Sequence, residues 1–213
     1  MTVTIYGRRN SSSVQLVMWA VNELGLPHER LDYGHGHTST HTNEYLLKNP
    51  MGQVPVLEDG QVCLFESAAI LRYLGAKYGD EIFWPPNVDK RGRLDSWAEW
   101  GKNTFTTAVL QIFVYDVRMS PESRDSNFLK NVSEKVIHLA KILDAHVAKK
   151  PWIGGADFTF ADIACGHILY RYFNLDWKQP DLPALAAYYN RIKERPAFKE
   201  HVMVCYEALR GSY

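Results

Sequence analysis

Apolar and polar positions along the chain follow two periods, one of about two residues and one of about 3.6. Val3-Thr4-Ile5-Tyr6 is short, β-branched and closed by the turn residue Gly7, which predicts a strand. Ser11, Ser12 and Ser13 then offer N-cap candidates. Val14, Val17, Met18, Val21 and Leu24 recur at helical spacing until Gly25 and Pro27 end the run. Glu29 to Tyr33 predicts a second strand, and a polar stretch from Gly34 to Asn43 leads into a short helix over Glu44 to Lys48. Val54 to Leu57 and Val62 to Phe65 flank Asp59-Gly60, a hairpin signal. At Glu66 a further helix begins, with Ala69, Ile70, Tyr73 and Leu74 on one face, and it runs to about Tyr78-Gly79.

The order strand, helix, strand, helix, strand, strand, helix implies an α/β domain with one hairpin, and it is the order of a thioredoxin-like fold. Asp80 to Val88 contains Pro85-Pro86 and predicts a linker. Beyond it no strand pattern recurs. Helical stretches cover Asp89 to Arg118, Glu122 to Lys149, Phe160 to Tyr172, Leu182 to Glu194 and Ala197 to Leu209, with prolines at 121, 151, 180, 183 and 196 marking their ends. The expected fold is α/β plus all-α, with a thioredoxin-like domain over residues 1–80 and a helical bundle domain over residues 88–213.

Composition supports a folded chain. Of 213 residues, 46% are apolar, including six Trp, twelve Tyr and nine Phe, which is ample material for a core. Lys plus Arg (24) equals Asp plus Glu (24), so the totals give no electrostatic case for nucleic acid or an anionic membrane as a partner. No stretch approaches the ~20 apolar residues that span a bilayer, and Met1 to Ile5 leads into a strand instead of a secretory signal. The three cysteines, Cys63, Cys165 and Cys205, are far apart and form no CxxC pair, as reduced thiols of a cytoplasmic protein would. His35, His37 and His41 share one polar loop without a second ligand segment, so no metal site is expected.

Three segments carry candidate chemistry. In Asn49-Pro50-Met51-Gly52-Gln53-Val54-Pro55-Val56-Leu57, a Val-Pro pair entering a strand suggests a cis peptide bond. Such a bend would leave the main-chain N–H and C=O of Val54 open to an extended peptide; alternatively Pro55 merely begins an edge strand. Glu66-Ser67 opens a helix, where free N–H groups suit a carboxylate and Glu66 suits a ligand ammonium; a plain cap reads the same way. Arg8-Arg9-Asn10-Ser11-Ser12-Ser13 joins the first strand to the first helix. Thioredoxins carry a reactive cysteine pair there, and this chain has none, which disfavours dithiol chemistry. A serine hydroxyl at a helix N-terminus can instead donate to a bound thiolate. Lowering a thiol of pKa near 8.5 by about two units takes roughly 2.7 kcal/mol, the size of one charge-assisted hydrogen bond plus a helix dipole.

Taken together, NPMGQVPVLEDG followed by ESAAILRYL resembles the glutathione-site signature of the cytosolic glutathione transferase superfamily, over nearly the whole chain. The YGRRNSS opening is most similar to bacterial theta-like and zeta-like members. The resemblance implies a cis Pro55, Val54 pairing with the cysteinyl unit of glutathione, Gln53 near the tripeptide, and Glu66 and Ser67 at its γ-glutamyl end. It implies His41 at the glycine end and Ser11 as the catalytic serine, with Asn10 and Ser12 as rivals. Glutathione as co-substrate, a small, mostly apolar electrophile as second substrate, and a homodimer belong to the same expectation. The absent cysteine of the beta and omega types argues against their mixed-disulfide chemistry. Glutathione-dependent isomerisation or dehalogenation, and a non-catalytic glutathione-binding or stress-associated role, stand as alternatives; the zeta-type SSCS run is missing.

Two further readings concern the helical part. Thr159 and Asp162 have capping-box spacing, with Phe158 and Ile163 as a hydrophobic staple, and this resembles the family's folding motif. Trp97, Trp100, Phe105 and Tyr6 are candidates for the wall of an apolar second-substrate pocket, although core or rim positions fit them equally. Arg8 and Arg9 read by default as exposed charge, with attraction of an anionic acceptor as the alternative.

Overall fold

The computed structural model describes residues 2–212. Strands β1 (Val3–Tyr6), β2 (His28–Leu31), β3 (Val56–Asp59) and β4 (Val62–Phe65) form one sheet in the order β2-β1-β3-β4. β1 is parallel to β2 through the crossover helix α1 (Ser12–Glu23), antiparallel to β3, and β3 is antiparallel to β4. Alternation along β1 buries Val3 and Ile5 in the core and leaves Thr4 and Tyr6 half-buried. Helices α2 (Asn43–Lys48) and α3 (Ser67–Tyr78) complete this thioredoxin-like unit.

The hairpin turns one residue later than the Asp59-Gly60 pattern predicts. Asp59 pairs with Val62, so Gly60 and Gln61 form the two-residue loop, with Gly60 at φ 62. Asp59 has a different task. Its carboxylate is buried and accepts from Tyr73 (2.8 Å), Lys77 (2.6 Å) and Tyr78 (2.6 Å), tying β3 to α3.

The remainder of the described chain is helical: α4 (Val88–Glu99), α5 (Thr106–Phe113), α6 (Ser126–Val147), α7 (Phe160–Gly166), α8 (Leu169–Asn174), α9 (Pro183–Lys193) and α10 (Pro196–His201). The run expected over 89–118 is continuous, but π-helical turns at Trp100–Phe105 and Val114–Arg118 interrupt its α geometry. A Cβ on Gly101 would lie 2.7 Å from Cys165 Sγ, and the Thr106 hydroxyl donates to the Gly101 carbonyl at 2.8 Å. Close packing on α7 and a side chain bonding into the helix ladder account for the first of these turns.

Two expected helices are shorter than their apolar periods suggest. The stretch 160–172 breaks at His167–Ile168, where buried His167 bonds back to the Ala164 carbonyl (3.0 Å) and Gly166 admits Trp19 and Ile192. The stretch 197–209 ends at His201 and resumes only as a 3-10 turn, Glu207–Leu209. Burial of Val202, Tyr206 and Leu209 without helical geometry explains the misleading period.

The capping box forms as expected. Thr159 caps α7, and Asp162 accepts from the Thr159 N–H (2.8 Å), the Thr159 hydroxyl (3.2 Å), the Ile153 N–H (2.8 Å) and the Tyr188 hydroxyl (2.9 Å). Burial pushes its carboxyl up to about 6 against the pull of those donors. Replacing Asp162 with Ala strands several buried donors, so a loss of about 3 kcal/mol is expected, read as a lower Tm and a lower refolding yield. An unchanged Tm would refute this.

Candidate active site

The register of the sheet gathers the three candidate segments at one end. Tyr6 pairs with Val56 and Val56 with Phe65, so one step further sets Gly7, Pro55 and Glu66 side by side. Glycine at position 7 is a steric requirement, because a Cβ there would lie 2.4 Å from Val14 Cγ2 and 3.2 Å from Val54 Cβ.

The Val54–Pro55 peptide is cis. β3 begins only at Val56, and among the described residues the Val54 N–H and C=O enter no hydrogen bond. The preceding turn is held by Asn49, buried, whose side chain donates to the Gln53 carbonyl (2.8 Å) and accepts from the Met51 N–H (3.0 Å). The Tyr45 hydroxyl donates to the same carbonyl at 2.7 Å. Gly52 at φ 61 lies against His41, where a Cβ would come within 2.9 Å of the imidazole. These bonds fix the Gln53-Val54 main chain without using the groups an extended ligand would need.

Ser11 is the N-cap of α1 by backbone geometry (φ −83, ψ 126), and its carbonyl accepts from the Gln15 N–H at 2.8 Å. Its hydroxyl makes no capping bond, and no acidic residue occupies the first turn of the helix. The partial positive charge at this helix end is thus not neutralised locally. Ser11 lines a cleft of about 340 Å³ together with Arg8, Gly34, His35, Thr40, Gly52, Gln53, Val54 and Arg118. Among the described residues, that lining includes no Asp or Glu side chain.

Of the expected site residues, Ser11, Gln53 and Val54 therefore meet in one cleft. Asn10, Pro55, Glu66, Ser67 and His41 lie outside its lining. Glu66 and Ser67 begin α3 one register step from Pro55, and Glu66 at φ 68 is the non-glycine residue with positive φ among those described. Strain of that kind is on the order of 1–3 kcal/mol and fixes the direction in which α3 starts. Ser67 is buried. Ser12 is already inside α1 and buried, and the Asn10 carbonyl accepts from Arg171 Nη2 at 2.7 Å.

The aromatic candidates go elsewhere. The Tyr6 hydroxyl donates to Glu58 (2.6 Å), and burial with that bond pushes its pKa up to about 12. Trp100 stacks on fully buried Phe105, and Trp97 packs on Trp100 and His146. Arg8 corrects the reading of an exposed charge, since it lines the cleft. Arg118 was not anticipated at all; it ends the second π-helical turn, with its Nε donating to Ser212 Oγ at 3.2 Å. Behind both lies Arg171, buried, with its guanidinium 4.1 Å from the Phe113 ring. Desolvation, together with the charges of Arg8 and Arg118, lowers its pKa to about 9.

Comparison with known proteins agrees with this geometry. Residues 1–76 match the model of the glutathione S-transferase N-terminal domain and residues 105–196 that of the C-terminal domain. Glutathione S-transferase GstB of Escherichia coli is 34% identical over 204 residues, covering 95% of this chain and 98% of that relative. Glutathione S-transferase 1 of Zea mays is 27% identical over 201 residues, covering 92% and 94%. The theta class glutathione S-transferase from Xanthomonas axonopodis pv. citri, solved with glutathione bound, superposes with a TM-score of 0.90 at 34% identity, covering 95% and 98%. The uncommitted serine at the start of α1, the cis-proline bend and these matches along almost the full length together make the chain a member of the glutathione S-transferase family.

Proposed function

We propose that the protein is a glutathione transferase in which Ser11 holds the glutathione sulfur as a thiolate for attack on a small electrophile. The observation that carries this reading is the Ser11 hydroxyl, unused as a cap, in one cleft with the open main chain of Val54. Glutathione lies along the sheet end, its cysteinyl unit paired with Val54 as an added strand. Ser67 and Glu66 receive the γ-glutamyl carboxylate and ammonium, Gln53 flanks the tripeptide, and His41 stands near the glycine end. The hydroxyl donates to the thiolate and the α1 dipole adds to it. The enzyme contributes ionisation and proximity, and the tripeptide makes the bond.

Residues 1–80 and 88–213 act as two domains, one for glutathione and one for the second substrate. The chain works in the cytoplasm; among the described residues no helix is long and apolar enough to cross a membrane. We further propose a homodimer. Leu47 (89% exposed) and Met51 (63%) lie near α2, and Val62 and Phe65 on β4 add exposed apolar surface. Covering that surface against a second copy removes it from water.

Ser11→Ala is expected to lower kcat/KM by about 10- to 100-fold, the worth of one charged hydrogen bond, and to raise the pKa of bound glutathione toward its value in buffer. An electrophile panel with and without glutathione, plus a thiolate titration, reads both. Turnover lost in Asn10→Ala or Ser12→Ala but kept in Ser11→Ala would move the role by one residue. Met51→Asp is expected to shift the protein from dimer to monomer in analytical ultracentrifugation; a wild type that is monomeric at all concentrations would end the dimer proposal.

A further inference from the structure

We propose that Arg171 is a positioning residue for the transfer step, holding the Asn10–Ser11 peptide from the helical part and keeping a fixed positive charge behind the glutathione sulfur. The inference rests on the transferase reading and deepens it. Arg171 belongs to α8 and is buried, and it does not stand in the lining of the Ser11 cleft. Its Nη2 donates to the Asn10 carbonyl at 2.7 Å. That carbonyl and the Ser11 N–H are two ends of one planar peptide unit. The Ser11 N–H in turn donates to the Arg8 carbonyl at 3.2 Å, and the Ser11 carbonyl accepts from the Gln15 N–H at 2.8 Å. With both flanking peptides tied, the Cα–Cβ bond of Ser11 has one direction, and only χ1 is left to turn the hydroxyl.

A staple between two packed layers needs no charge. Burying a guanidinium costs desolvation, and an apolar side chain of that volume would fill the same space at less cost. Among the described residues Arg171 has no carboxylate partner, and its Nε is buried without a hydrogen bond. Its guanidinium lies 4.1 Å from the Phe113 ring and 5.9 Å from the Tyr206 ring, so aromatic faces receive the cation where a counter-ion would stand. The charged and titratable groups facing it are Arg8, Arg118 and the Tyr206 phenol, and the two arginines disfavour its charge. The charge is therefore not neutralised by an ion pair of its own. Covalent geometry puts it within roughly 8 Å of the Ser11 hydroxyl. At that range, near a protein surface, a cation changes a thiol ionisation constant by about tenfold.

The test follows the thiol of bound glutathione across pH, by the absorbance of its thiolate in the full chain. Arg171→Gln, folded by its melting curve, is expected to raise that thiol pKa by about one unit. Turnover is read with para-nitrobenzyl chloride: the sulfur bonds to the benzylic carbon, chloride leaves with the bonding pair, and the thiol proton passes to solvent. In the Gln variant kcat/KM should fall about tenfold below the thiol titration and recover above it, because the lost cation favoured only the ionised sulfur. Arg171→Lys should restore most of the acidity. An equal loss at every pH with an unchanged thiol pKa marks a purely structural staple and overturns the proposal. A Lys variant no better than Gln overturns it too, since charge then plays no part. If the Gln variant does not fold, NMR of the Arg171 guanidinium in the wild type decides. Its resonance should step with pH where the thiol ionises and stay flat in the complex with S-methylglutathione. A flat trace with both ligands, or the same step in both, overturns the proposal and leaves the transferase reading intact. A wild type that retains neither ligand overturns the transferase reading as well.

Discussion

Helix α1 is the constraint on which the rest depends, because it is enclosed on both sides. One side of it packs on α3, and α7 and α10 pack on it as well. Trp19 is completely buried between them, with Phe198 at 4.8 Å and Phe158 at 5.7 Å. Gly166 is what lets the indole in, since a Cβ there would come within 3.1 Å of the ring. At the far end Glu23 takes two bonds from Arg195 (2.7 and 2.5 Å), which lies over the Phe158 ring. A helix held this way cannot shift its N-terminus without disturbing both halves of the molecule. Ser11 therefore inherits its position from packing about three turns away.

Much of this was legible in the residues. β1, β4 and the span of α1 follow from local pattern, and the bend at Val54–Pro55 follows from its motif. Asp59-Gly60 was read correctly as a hairpin but one residue early, because α3 uses Asp59 as a buried acceptor, a contact over more than a turn of chain that no dipeptide rule contains. The break at His167 has the same origin: Gly166 and His167 answer to Trp19 and Thr106 and not to their neighbours in sequence. Arg118 is the clearest omission. At the end of an apolar helical run a lone arginine resembles any solvated C-terminal charge, and only the fold brings it to the cleft beside Ser11.

In the proposed reading, several modest electrostatic contributions let Ser11 do the work often given to stronger groups. The hydroxyl alone offers one donor. It sits at the start of a 12-residue helix whose first turn holds no acidic residue, in a cleft that Arg8 and Arg118 also line. Each contribution is modest, and all favour a negative charge at the same place. The strained Glu66 and the glycine at position 7 serve the geometry of that place, one by aiming α3 and the other by letting Val54 approach β1.

The contact between Gly101 and Cys165 also sorts the thiols of the molecule. Cys165 is fully enclosed, with its Sγ 3.2 Å from the Trp97 carbonyl and burial pushing its pKa well up, whereas Cys63 and Cys205 are exposed. In a protein built to handle reactive carbon centres, the one cysteine at the heart of the helical domain is kept from the chemistry by being both hidden and protonated. Its alkylation thus becomes a clock for the opening of α7, running only when the helices part.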